Sequence, residues 1–77
     1  MKLKEKNITA QKIGYKDFKD FNDELQRDTK YKQLIQADEF IEHIHERITG
    51  FALSIDLKTF NLYNDYMMKY NINLKTP

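Results

Sequence analysis

Residues 34–55, which read LIQADEFIEHIHERITGFALSI, decide the fold that the sequence predicts. Apolar side chains recur here at alternating spacings of three and four residues, at Leu34, Ala37, Ile41, Ile44, Ile48, Phe51 and Ile55. That spacing is typical of a helix that buries one stripe over three heptads. Because the stripe is long for a 77-residue chain, we expect a homodimer seam formed by Leu34, Ile41, Ile44, Ile48 and Phe51.

The sequence after Gly50 admits two interpretations. Gly50 either lies inside the helix or ends it at the C′ position, where glycine is favoured. Alternating apolar residues over 51–57 then favour a short strand, whereas the later apolar residues return to helical spacing. We predict a helix over about 56–71, capped by Ser54 or Asp56. The segment 51–55 stays open between a connection, a helix end and a strand.

The first part of the chain predicts one more helix and a basic arm. Asp17 or Asp20 can cap a helix whose stripe contains Phe18, Phe21 and Leu25, and we expect it to break at residues 28–29. Residues 1–14 are rich in lysine and have no steady helical period. They predict a basic N-terminal arm, either loosely ordered or holding a short strand.

These patterns together predict a single domain over residues 1–77. Its fold class is mostly α, with three or four helices and an optional short N-terminal strand. The alternative is an α+β domain with a short two-stranded element. No apolar run approaches 18 residues, so we expect no membrane span. The chain has no cysteine, which fits a cytoplasmic location.

The charges are unevenly distributed along the chain, although the net charge is only +1. Residues 1–19 are basic, while residues 20–47 are acidic. In the acidic part, carboxylates repeat at spacings of three or four residues, where like charges destabilise a helix. We therefore expect a cationic partner to bind Asp20, Glu24, Glu39, Glu42 and Glu46, with Tyr66 and Met68 as off-stripe contact residues.

The hypothesis that follows is a small non-enzymatic interaction protein that binds and blocks a host macromolecule. Almost half of the residues are Lys, Ile, Asn, Tyr or Phe, whose codons are AT-rich, so we expect a phage or other mobile element as the source. The expected partner is a host protein, with nucleic-acid-binding proteins as one class. The alternative is a small DNA-binding regulator that contacts phosphates through Lys2, Lys4, Lys6 and Lys12.

Catalytic and metal-binding patterns are weak in this sequence. There is no glycine-rich phosphate loop and no strand–turn–helix nucleophile motif, so we expect no catalytic residues and no cofactor. Glu42 and His45 have the spacing of half a di-metal site, but one chain carries one such pair. We therefore expect no metal site, with His45 packed at the edge of the stripe and His43 in solvent.

Overall fold

The computed structural model describes residues 1–50 and 54–74, and this part of the chain is built from helices without a strand. The five helices are α1 (Leu3–Lys12), α2 (Phe18–Arg27), α3 (Tyr31–Leu34), α4 (Ala37–Thr49) and α5 (Leu57–Lys69). The prediction of a small, mostly helical domain is confirmed. The helix predicted over 56–71 is also confirmed, as α5.

Local signals in the sequence account for most helix ends. The side chain of Asp17 accepts a hydrogen bond from the backbone of Asp20 (2.9 Å) and caps α2. Asp56 caps α5 in the same way, through the backbone N–H of Thr59 (3.1 Å). Gly50 ends α4 with a left-handed φ of 79°, which costs glycine little because it lacks a Cβ. The two predicted caps and the glycine stop are thus confirmed.

The short strand predicted within residues 1–14 is wrong, because this segment forms α1. Its residues Thr9 and Ala10 are buried, and the helix packs against α2 and α4. Lys6 Nζ lies 2.6 Å from Asp38 Oδ1 on α4, and Asn7 Oδ1 accepts a hydrogen bond from the backbone of Phe18 (3.0 Å). These contacts join residues distant in sequence, so a five-residue polar–apolar alternation was too short to predict them.

The core is largely aromatic and centres on Phe40 of α4. The Phe40 ring stacks on Tyr63 of α5, with a centroid separation of 4.5 Å. It also meets Phe21 of α2 at 5.5 Å and Tyr66 of α5 at 5.4 Å. Such pairs contribute about 0.5–1.5 kcal/mol each beyond the area they bury. Phe40 therefore ties α2, α4 and α5 into one core.

The predicted dimer seam is wrong as a continuous exposed stripe. Ile41 and Ile44 are fully buried within their own chain, and Ile48 is half-buried. Leu34 lies on α3, separated from α4 by a break in the helix, and is 55 % exposed. Phe51 lies outside the described residues. The heptad spacing thus marks the inner face of α4, and any dimer must use another surface.

The connection between α4 and α5 is described in part. Residues 54–56 form neither helix nor strand, so the strand alternative is wrong for these three residues. The rest of the uncertain segment, residues 51–53, lies outside the described part. In the ranges 1–50 and 54–74, none of the helices is both long enough and apolar enough to cross a membrane.

Candidate binding groove between α4 and α5

An acidic groove of about 490 Å³ runs between α4 and the start of α5. From α4 it receives Glu39, Glu42, His43 and Glu46, and from the later segment Ser54, Ile55, Asp56, Thr59 and Tyr63. The three glutamates share the groove because their spacings of three and four residues place them on one face of a helix. Of the sequence-predicted partner-binding residues, the structure therefore brings together Glu39, Glu42 and Glu46.

The carboxylates of the groove are not neutralised by cations of the described chain. Glu39 and Glu42 are exposed, Glu46 is half-buried, and none of the three forms an ion pair within residues 1–50 and 54–74. Asp56 adds a fourth carboxylate, and its hydrogen bonds from Thr59 lower its pKa. A concave surface with several charges of one sign attracts and concentrates ligands of the opposite sign.

His43 lies in the wall of the groove and is nearly completely buried, with 3 % of its surface exposed. Neither ring nitrogen has a hydrogen-bond partner among the described residues. Burial lowers the pKa of His43 to about 4, and the positive charge of Arg47 acts in the same direction. The imidazole is therefore neutral at pH 7, with one N–H donor and one free nitrogen acceptor beside the glutamates.

The histidines correct the sequence-based prediction, which placed His43 in solvent and His45 at the edge of the core. The ring of His43 packs between Tyr63 (4.7 Å between centroids) and Phe60 (6.0 Å). His45 is half-buried, with its Nδ1 3.5 Å from Thr9 Oγ1 on α1. The prediction assumed a contact face centred on the isoleucines, whereas α5 covers α4 on the His43 side.

Arg47 lies near the groove but is held by other contacts. Its guanidinium donates a hydrogen bond to Asn64 Oδ1 (2.6 Å) and lies over the ring of Phe60, 4.9 Å from the centroid. Partial burial lowers the pKa of Arg47. Because these contacts turn the side chain toward α5, it forms no ion pair with the groove glutamates.

The second acidic row, predicted to bind a partner, is instead used within the fold. Glu24 accepts hydrogen bonds from the hydroxyls of Tyr15 and Tyr66, the latter at 3.5 Å. Asp20 accepts a hydrogen bond from the backbone N–H of Lys16 (3.0 Å). Burial and the neighbouring carboxylate of Glu24 raise the pKa of both tyrosines, which therefore remain donors at neutral pH.

The two off-stripe residues of the last helix have opposite fates. Tyr66 is 0 % exposed and belongs to the core, so its prediction as a contact residue is wrong. Its ring has an edge-to-face contact with Tyr31 of α3, a neighbour that no local pattern revealed. Met68 is 77 % exposed but lies away from the acidic groove, beside Arg47 and Asn64.

The candidate phosphate-binding lysines are only partly free. Lys6 is bound to Asp38 and lies over the ring of Phe18, 5.1 Å from its centroid. Lys2, Lys4 and Lys12 are exposed on or beside α1. Sequence analysis also missed Ser54, Asp56 and Thr59 as groove residues, because only the packing of α5 brings them opposite α4.

Metal-ligating side chains do not converge in the described part of the chain: no group of three or more His, Cys, Asp or Glu there is placed to hold an ion. Comparison with known proteins supplies no further assignment. No protein-family model, no curated protein and no solved structure matches this chain.

Proposed function

We propose that this protein is a non-enzymatic interaction protein that binds a basic segment of a partner protein in the acidic groove and thereby blocks that partner. The supporting observation is the set of three glutamates without cationic partners in the described chain, placed beside the buried, neutral His43. The source we propose is a phage or mobile element, on the strength of the AT-rich codon usage that the composition implies.

The donors and acceptors of the groove fit lysine and arginine side chains. Ammonium and guanidinium groups donate charge-assisted hydrogen bonds to carboxylates, and these bonds are about twice as strong as neutral ones. Glu39, Glu42 and Glu46 supply the carboxylates, while Tyr63 offers an aromatic surface at the groove wall. The free nitrogen of His43 supplies an acceptor that carries no positive charge at neutral pH.

Blocking follows from the kind of segment that such a groove accepts. Lysine- and arginine-rich segments are the parts of nucleic-acid-binding proteins that contact phosphates. A protein whose basic segment is held by the glutamates cannot use the same cations on a nucleic acid. We therefore expect the partner to be a nucleic-acid-binding host protein, and we expect nucleic acid to compete with this chain for it.

The test compares two double variants with the same change in charge. Glu39→Gln with Glu42→Gln removes two exposed carboxylates from the groove. Glu5→Gln with Asp23→Asn removes two carboxylates from α1 and α2, away from it. Binding to fluorescent octa-arginine and octalysine is measured by anisotropy at physiological salt, with octaglutamate as the charge control.

The groove variant should bind the basic peptides about tenfold more weakly than the control variant, while both keep the helical circular dichroism of the parent. Capture from a bacterial lysate with the two variants then identifies the partner as the protein retained by the control alone. Equal peptide binding by both variants would overturn the proposal, because the groove would then contribute nothing beyond net charge.

A second candidate function, phosphate binding by a DNA-binding regulator, is favoured by the exposure of Lys2, Lys4 and Lys12. Changing these three lysines to alanine should then weaken binding to duplex DNA and reduce its salt dependence by nearly one power per lost phosphate contact. Lys6→Ala would instead destabilise the contact between α1 and α4, because Lys6 is bound to Asp38. We place this function second, since one of its four lysines is already engaged within the fold.

A further inference from the structure

The outward face of α5 carries apolar side chains that the chain itself does not cover. Leu57 is 73 % exposed and Met68 77 %, and Leu62 lies half-buried between them. Leu34 of α3 borders the same face and forms a shallow hollow with Leu62. Exposed apolar residues scattered singly are ordinary, but a group on one face of a helix marks a contact surface.

The charges on this face have a self-complementary arrangement. Lys58 and Asp65 line the hollow together with Asn61, Leu62 and Leu34. They lie seven residues apart, which places them on the same side of the helix and about 10.5 Å apart along its axis. Neither forms an ion pair with another described residue. The midpoint between the two charges falls between Asn61 and Leu62.

We infer that this face binds a second copy of the same chain, with the two α5 helices antiparallel about a two-fold axis near Asn61 and Leu62. In that arrangement Lys58 of each copy faces Asp65 of the other, so the same ion pair forms twice. The two Leu62 side chains meet near the axis, and Leu34 of each copy borders the contact. A parallel arrangement would place lysine against lysine and aspartate against aspartate, which is repulsive.

The dimer leaves the acidic groove open and is independent of the proposed function. Thr59 and Tyr63, which line the groove, lie about 100° and 140° around α5 from Lys58. The two surfaces are therefore on different sides of the helix. Loss of the dimer should not remove the peptide binding of the groove, and loss of the groove carboxylates should not dissociate the dimer.

Charge reversal tests the pairing. Size exclusion with light scattering, over a range of concentrations, distinguishes the 9.3 kDa chain from a species of twice that mass. Lys58→Asp and Asp65→Lys should each weaken the dimer about tenfold or more, because each creates two like-charge contacts.

A one-to-one mixture of these two variants should dimerise again. The first variant presents two aspartates on this face and the second presents two lysines, so both contacts of the mixed dimer join opposite charges. The chain that carries both reversals should also dimerise, since it restores one charge of each sign with the order exchanged.

Two further variants separate the surface from general effects of charge. Leu62→Asp should give a folded monomer, whereas Leu3→Asp, at an exposed leucine on α1, should leave the dimer intact. Because the chain has no cysteine, Asn61→Cys also allows a short thiol cross-linker to trap the dimer, with Gln11→Cys as the control. A monomer at millimolar concentration would overturn the inference, as would failure of the mixed variants to associate.

Discussion

Lys69, in the last turn of α5, places its Nζ 2.7 Å from Oδ2 of Asp28, which ends α2. The same carboxylate oxygen accepts a hydrogen bond from the hydroxyl of Tyr70 (2.5 Å), and Oδ1 accepts two more from the backbone of Lys30 and Tyr31 (3.0 Å each). Asp28 is therefore satisfied on both oxygens. It fixes the start of α3 and attaches the C-terminal helix to the turn after α2.

Asp28→Asn should lower the thermal midpoint clearly, because an amide NH₂ cannot accept from both Lys69 and Tyr70. The bonds from Lys69, Tyr70 and Tyr31 hold the pKa of Asp28 well below its ordinary value. A lowered folded-state pKa means that this contribution is complete above the ordinary aspartate range and is lost as pH falls through the folded value. Thermal melts followed by circular dichroism measure both effects. Asp23→Asn, on an exposed ion pair, serves as the control and should change little.

His43 should make the chain less stable in mild acid. Its folded-state pKa of about 4 lies below the ordinary 6.5, so the unfolded chain binds a proton that the folded chain refuses. Stability from this group is complete above pH 6.5 and falls between pH 6.5 and 4, by about 2 kcal/mol from pH 7 to pH 5.

Urea unfolding of the wild type and of His43→Phe at the two pH values isolates this contribution. Phenylalanine keeps the aromatic contacts with Phe60 and Tyr63 but cannot be protonated. The variant should lose about 2 kcal/mol less than the wild type on going to pH 5. Parallel losses in the two proteins would show that His43 does not carry the acid sensitivity.

Ile44→Asp should unfold the chain, since it places an unpaired charge in the centre of the core. Ile44 is fully buried on α4, and an uncompensated carboxylate there costs more than about 4 kcal/mol. Leu34→Asp, at an exposed position on α3, should remain helical. Circular dichroism at low protein concentration separates the two outcomes, and a folded Ile44→Asp variant would contradict the core described above.

Gly50→Ala should destabilise the end of α4 by about 1 kcal/mol. The cause is backbone strain alone, because a Cβ at this position would meet no atom within 4 Å while φ remains +79°. Gly50→Asn should cost less, since asparagine tolerates left-handed φ better than alanine does. Chemical denaturation of the two variants beside Ser54→Ala gives the comparison, and equal stability of all three would argue against strain at residue 50.

The sequence by itself determined the helical class, the caps of α2 and α5, the glycine stop of α4 and the common face of Glu39, Glu42 and Glu46. These features depend on spacing along the chain and on local hydrogen bonds, both of which are legible from neighbouring residues. Only the tertiary structure decided which face each helix turns inward. The spacing identified a stripe through Ile41 and Ile44 but could not say whether a second copy or the same chain covers it.

His43, Tyr66 and α1 show the physical reason. His43 is buried because α5 packs beside it, and Tyr66 because Tyr31 and Phe40 surround it. The helix of residues 3–12 is attached through Lys6 to Asp38, 32 residues later. Each outcome depends on contacts between elements far apart in sequence, and helical periodicity carries no information about which partner meets a given face.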